Sequence, residues 1–210
     1  MKKEHLEVLT QAEQAAYYEV PDFNETQHYE FLTLDQSELD LVMSRSSWSA
    51  RVHCCLQIAY FKAVNLFFKV TWSEVSNKTI KFILEQYFYD QSIKLSKITD
   101  YEYYTQCAAI ARLCGFQMWE SQFSDSLLNK ANELAKLNIN QQFIALELLT
   151  YLKQQKIIRP QYTTLQSLII IAINSEKSRI NKLLMEQITP EESRLILALI
   201  SNESTLSELA

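Results

Sequence analysis

Glycine and proline are almost missing from this sequence: one glycine, Gly115, and three prolines, Pro21, Pro160 and Pro190, among 210 residues. Hairpin turns draw on glycine and proline for their special backbone geometries, so a protein of many short strands is excluded and an all-α fold is left. No apolar run reaches the roughly 18 residues of a membrane span. The most apolar stretch, 165–174, is interrupted by Gln166 and Ser167. The start, MKKEHLEVL, carries no apolar segment of the secretory kind, so a cytoplasmic location is expected.

The motifs of common chemistry are also missing. There is no glycine-rich phosphate loop, no HExxH and no G-x-S-x-G. Cys54, Cys55, Cys107 and Cys114 offer no C-x-x-C pair with histidines at zinc spacing. They are read as small buried apolar residues in a reducing compartment. His5 and His28 are lone residues in acidic segments expected at the surface. His53 and Cys54 are neighbours, which project about 100° apart on a helix and so form no thiolate pair. No enzyme, metal or cofactor is expected from these residues.

What the chain does have is aromatic bulk and helix signals. Tyrosine and phenylalanine together number 21, enough for a substantial core. Thr10 and Glu13 stand at capping-box spacing before a short helix that ends ahead of Pro21. Asn24 caps a helix through Glu25–Phe31, and Asp35 with Glu38 opens another bearing Leu39, Val42 and Met43. Ser46 or Ser47 starts the longest early helix, to about Phe68, with a stripe of Val52, Cys55, Leu56, Ala59, Tyr60 and Ala63. Arg51, Gln57 and Lys62 lie off that stripe. Trp72 and Ser73 turn the chain into a helix at about 76–88 with Lys78 and Lys81 outward. Asp100 caps a helix that Gly115 stops. Further helices are expected at 121–137, 140–155, 164–186 and 190–200, the last announced by Thr189, Pro190, Glu191 and Glu192. The expectation is a bundle of about eight to ten helices in one region, 1–210, with 1–115 and 116–210 as candidate sub-domains.

The net charge of −5 hides alternating blocks. Residues 1–42 hold two lysines against ten acids, whereas 43–98 hold eight basic residues against three acids. Residues 99–150 are acidic by three, 151–185 hold six basic residues against one acid, and 186–210 are acidic by four. Two blocks of +5 form one positive face if the fold brings them together. Within the second block, Pro160 ends one helix, and Thr163 or Thr164 is placed to cap the next. Lys156 and Arg159 precede that start, and Lys177, Arg179 and Lys182 follow in its later turns. Such an arrangement at 140–186 has the form of a helix-turn-helix-like element docking on a phosphate backbone.

The order of segments resembles the N-terminal region of the Tn-three family of replicative bacterial transposases. Leu9, Thr10 and Glu13 match its opening LT-x-x-E box. Tyr29, Leu32, Glu38 and Leu39 match its Y-x-L-x-x-x-D/E-L helix. Arg51, Leu56, Gln57 and Ile58 are similar to its R-L-G-x-A-L-Q-L segment. Ile110, Leu113, Gly115 and Phe116 are similar to I-R-x-x-L-G-F/Y. Ile157, Pro160, Thr163, Thr164, Leu165, Leu168 and Ile169 are similar to I-x-x-P-x-x-T-T-L-x-x-L-I. The chain departs from the pattern at Val52 and His53, where the family has Leu-Gly. It departs again at Thr105 and Gln106, where an arginine and a histidine are usual, and at Ala111, the place of an arginine.

The resemblance implies a bacterial DNA-binding region that recognises terminal inverted repeats in double-stranded DNA and supports transposition, with self-association a further expectation and no membrane partner. The family's Asp-Asp-Glu catalytic domain is absent from these residues, so the chain is read as an N-terminal piece or a remnant. Arg51, Lys62, Arg112, Arg159, Thr163, Thr164, Lys177, Arg179 and Lys182 are the candidate DNA-binding residues. The alternative from another class is a helical protein-interaction or assembly module that does not bind DNA.

Overall fold

Most helix starts among the described residues are made by small polar side chains that accept the first free backbone N–H groups. The computed structural model describes residues 8–89, 93–189 and 191–194. α1 (Gln11–Tyr18) follows Thr10, whose hydroxyl accepts from the Glu13 N–H while the Glu13 carboxylate accepts from the Thr10 N–H at 2.9 Å. The same reciprocal box opens α2 (Glu25–Phe31) through Asn24 and Gln27, and α3 (Gln36–Met43) through Asp35 and Glu38. Ser47 caps α4 (Trp48–Val64), and Ser76 caps α5 (Asn77–Ile83), which continues as a π-helical turn over Leu84–Phe88. α6 (Asp100–Leu113) is capped one residue earlier than expected, by Thr99 with Glu102 closing the box. Asp100 instead occupies the first helical position, where its charge meets the positive end of the helix dipole. A 3-10 turn at Ser121–Phe123 leads into α7 (Ser124–Leu137), Asn140 caps α8 (Gln141–Gln154), and α9 (Tyr162–Gln187) is the longest helix described. Residues 191–194 are also helical. The remainder of the helix expected at 190–200, with His5, lies outside the described residues.

Among the described residues there are nine α-helices and no strand, so the chain is an all-α multi-helix bundle. α4 is its central helix, in contact with α2, α3, α5 and α6. From Ser49 to Phe61 every residue of α4 except Arg51 is buried. The expected one-sided stripe is therefore a helix enclosed all round, and Gln57, placed off the stripe by periodicity, is fully buried. It is accommodated because its amide donates to the Phe68 carbonyl at 2.7 Å and accepts from the Phe68 N–H at 3.1 Å. α4 also ends earlier than expected: Asn65 takes the left-handed conformation at φ 55°, which asparagine tolerates better than most residues. His28 is likewise inside. It is buried, hydrogen-bonded to Thr79 Oγ1 at 2.9 Å and stacked on Phe82.

A second core lies among α7, α8 and α9. Leu127, Ala131, Leu148, Leu152, Leu165 and Ile169 are among its fully enclosed residues. The two cores exchange residues. Val8, Leu9 and Tyr17, from the start of the chain, belong to the second, whereas Ile158, from the α8–α9 connection, belongs to the first. Cys54, Cys55 and Cys107 are buried free thiols and Cys114 is partly buried. Burial pushes Cys54 and Cys107 up to about 12, so these thiols stay protonated. Among the described residues no helix is long and apolar enough to cross a membrane, and no His, Cys, Asp and Glu side chains group so as to hold a metal.

Candidate nucleic-acid interface

Two helix C-termini meet where the cores join. α6 ends in a Schellman motif: the Phe116 N–H reaches the Ala111 carbonyl at 2.7 Å and the Gly115 N–H reaches Arg112 at 3.1 Å. Gly115 takes the left-handed conformation this needs, with φ 71°. α8 ends the same way, the Ile157 N–H bonding Leu152 at 2.9 Å and the Lys156 N–H bonding Lys153 at 3.1 Å. Here the left-handed position is held by a lysine, Lys156, at φ 53°. The two ends are tied together, because the Gln117 N–H donates to the Lys156 carbonyl and its own carbonyl accepts from the Ile158 N–H.

A groove of about 300 Å³ lies beside this junction, lined by Asn65, Phe116, Leu152, Lys153, Ile157 and Arg159. The paired C-termini are the negative ends of two helix dipoles, which favours cations there. Arg112, Lys153 and Lys156 occupy or follow those last turns and are all exposed. The Lys156 ammonium reaches within 3.6 Å of where a side chain on Gly115 would begin. Lys153 and Lys156 were not among the sequence candidates. The signal that finds them is the three-residue spacing Lys153, Lys156, Arg159 across a helix end.

The sequence candidates scatter. Arg51 stacks over Trp48 at 4.8 Å and donates to the Arg45 carbonyl at 3.0 Å. Lys62 pairs with the buried Glu38 at 2.7 Å and donates to the Thr33 carbonyl at 2.8 Å. Arg159 stacks over Tyr17 at 3.6 Å and donates to the Tyr17 carbonyl at 2.6 Å. Burial holds its ionisation below the usual guanidinium range, and its buried Nε has no partner. Thr163 and Thr164 do not cap α9. The N-cap is Gln161, which makes no side-chain cap bond, and the threonines fall inside the first turn. The Tyr162 N–H is instead satisfied by the Tyr18 hydroxyl at 3.2 Å, so α1 supplies what a local cap would.

Lys177, Arg179 and Lys182 lie on the second half of α9, where every residue from 177 to 187 is exposed. Arg179 is engaged by Glu176 at 2.6 and 2.8 Å, Lys182 stands 3.9 Å from Glu186, and Lys177 has no ion-pair partner among the described residues. The same half-helix exposes Ile180, Leu183, Leu184 and Met185. The first basic block reaches the groove through Ala63, Val64 and Asn65, none of them basic, and its Lys69 and Lys97 line a separate cleft.

Fold and surface together define an all-α protein with a cationic junction between two helix ends and no constellation of reactive groups among the described residues. The model of one protein family, described as a domain of unknown function (DUF4158), matches residues 8–172, and the chain belongs to that family. No curated protein matches the chain.

Proposed function

We propose that this chain is a duplex-DNA-binding module, corresponding to the N-terminal part of a Tn-three-family replicative transposase and serving recognition of the transposon's terminal inverted repeats. One observation carries the reading. The segments resembling that family run in the family's order across the chain, and two of them, 110–116 and 157–169, flank the junction where Lys153 and Lys156 have no ion-pair partner among the described residues. Lysines held in this way neutralise phosphates and fix the orientation of a duplex. Lys177, which has no ion-pair partner among the described residues, extends the same chemistry along α9. A second reading, a protein-interaction module, is supported by the exposed Ile180, Leu183, Leu184 and Met185.

The test is binding of the full chain to a duplex carrying a Tn-three-type terminal repeat and to a scrambled duplex of equal length and composition. Tighter binding to the repeat is expected. Equal binding to both removes repeat recognition and leaves a non-specific duplex binder. No binding to either at about 50 mM salt, where phosphate contacts are strong, puts the interaction module first.

A further inference from the structure

A cleft of about 550 Å³ opens on the far side of α4's environment, away from any role given so far, and His53 forms its floor. The state of that histidine follows from its neighbours. The Gln106 amide donates to the Ala50 carbonyl at 3.0 Å, which turns its oxygen toward His53 Nδ1, 2.7 Å away, so Nδ1 carries the proton. Gln57, fixed by both polar groups of Phe68, presents its NH₂ to His53 Nε2 at 3.2 Å, and Nε2 accepts. Both ring nitrogens are used and the ring is neutral. It meets the cleft as an aromatic surface and not as an acid or base.

Two further rings complete the walls. Trp72 and Tyr103 each stand edge-to-face with His53, at 6.2 and 6.1 Å between centroids. Trp72 is fixed by its indole N–H, which donates to the Ser96 carbonyl at 2.7 Å. The rim carries two lysines, Lys69 and Lys97, and two carboxylates, Glu74 and Asp100. Lys97 is exposed and has no ion-pair partner among the described residues, and Lys69 is held only by the exposed Asp100, at 2.8 Å. Such an exposed pair is weak enough for an incoming anion to displace. Glu74, the rim's second carboxylate, stays ionised and is held by the Thr71 N–H and hydroxyl at 2.6 and 2.9 Å.

A preformed, mostly apolar cavity of this size, with aromatic walls and at its mouth one unpaired lysine and one weakly held, suits a flat aromatic ring bearing a negative charge. We propose that this cleft is a nucleotide-binding site, taking the base against Trp72 and Tyr103 and the phosphate on Lys97 and Lys69. The nucleotide is either free or an unpaired residue of a DNA strand. The site is separate from the junction at Lys153 and Lys156, so the two readings stand or fall independently.

Calorimetric titration of the full chain with deoxyadenosine 5′-monophosphate, deoxyadenosine and inorganic phosphate tests it. Saturable binding of the nucleotide is expected, with the nucleoside and the phosphate each weaker by about tenfold or more, since stacking and charge each supply a share. Trp72→Leu is expected to weaken the nucleotide by about tenfold through lost stacking. Lys97→Glu, at an exposed rim position that leaves the fold alone, is expected to weaken the nucleotide while leaving the nucleoside unchanged. A duplex with an unpaired overhang, compared with a blunt one in the Lys153→Ala/Lys156→Ala background, separates the sources. An overhang advantage that Lys97→Glu abolishes assigns the site to a DNA strand, and retained mononucleotide binding without that advantage assigns it to a free nucleotide. Absence of saturable nucleotide binding, or a Lys97→Glu variant that binds the nucleotide as the parent does, overturns the proposal.

Discussion

At the scale of single residues, several of the polar and charged side chains that sequence places at the surface are used inside the fold. Lys62 looks like a surface cation in sequence, yet its ammonium neutralises the buried Glu38 and closes the Thr33 carbonyl. Removing it strands a carboxylate in the core. Lys62→Ala is expected to lower stability by about 2 kcal/mol, seen as a lower urea midpoint, while the salt dependence of duplex binding by the folded protein stays as in the parent. His53 gives a pH dependence of definite sign. Burial lowers its ionisation below the ordinary imidazole value of 6.5, against a smaller raising effect of Gln106. The unfolded chain therefore binds the proton more readily, and the stability from a neutral His53 is present above about pH 6.5 and lost as pH falls through the folded value. His53→Gln, which cannot titrate, is expected to be less stable at neutral pH but to lose less between about pH 7 and about pH 5. Equal slopes for parent and variant would show that another group governs this window.

At the scale of helices, starts were legible in the sequence because caps are local chemistry. Thr10, Asn24, Asp35 and Ser47 each act within three residues of themselves, and the cap of α6 fell one residue ahead of the expected Asp100, on Thr99. The start of α9 was not, because its first N–H is satisfied by Tyr18, a residue 144 positions away. Nor was the interior of α4: a helix enclosed on every side blurs the stripe on which periodicity relies, and Gln57 and His53 read as polar until their partners are known. Those partners are informative. His53 and Gln106 are two of the places where the chain departs from the transposase pattern, and they are bonded to each other at 2.7 Å. The end of α8 yields a direct test. Lysine in the left-handed conformation is strained by about 1 kcal/mol, where glycine is not. Lys156→Gly is thus expected to stabilise the fold by about that amount and raise the melting temperature, while weakening binding to duplex DNA. A variant that is stabilised and binds as tightly as before would free Lys156 from any role in binding.

At the scale of the whole molecule, the two cores are joined by traded residues and by the paired ends of α6 and α8, and the lysines at that junction, Lys153 and Lys156, lie outside the candidate set drawn from sequence. Charge blocks placed basic character in 43–98 and 151–185, but a block says nothing about which ammonium groups are consumed by the fold. Arg51, Lys62, Arg159 and Arg179 all have internal partners, whereas Lys153 and Lys156, beside the groove, have no ion-pair partner among the described residues. On a chain with a net charge of −5, the proposed duplex binding rests on such a local concentration of charge. The measurement that bears most directly on this is the salt dependence of duplex affinity for the parent and for Lys153→Ala/Lys156→Ala. Each neutralised phosphate adds about −0.9 to the slope of log K against log salt. The double variant is expected to flatten that slope by about two units while remaining folded. A slope identical to the parent's would contradict the placement of the interface at the α6–α8 junction.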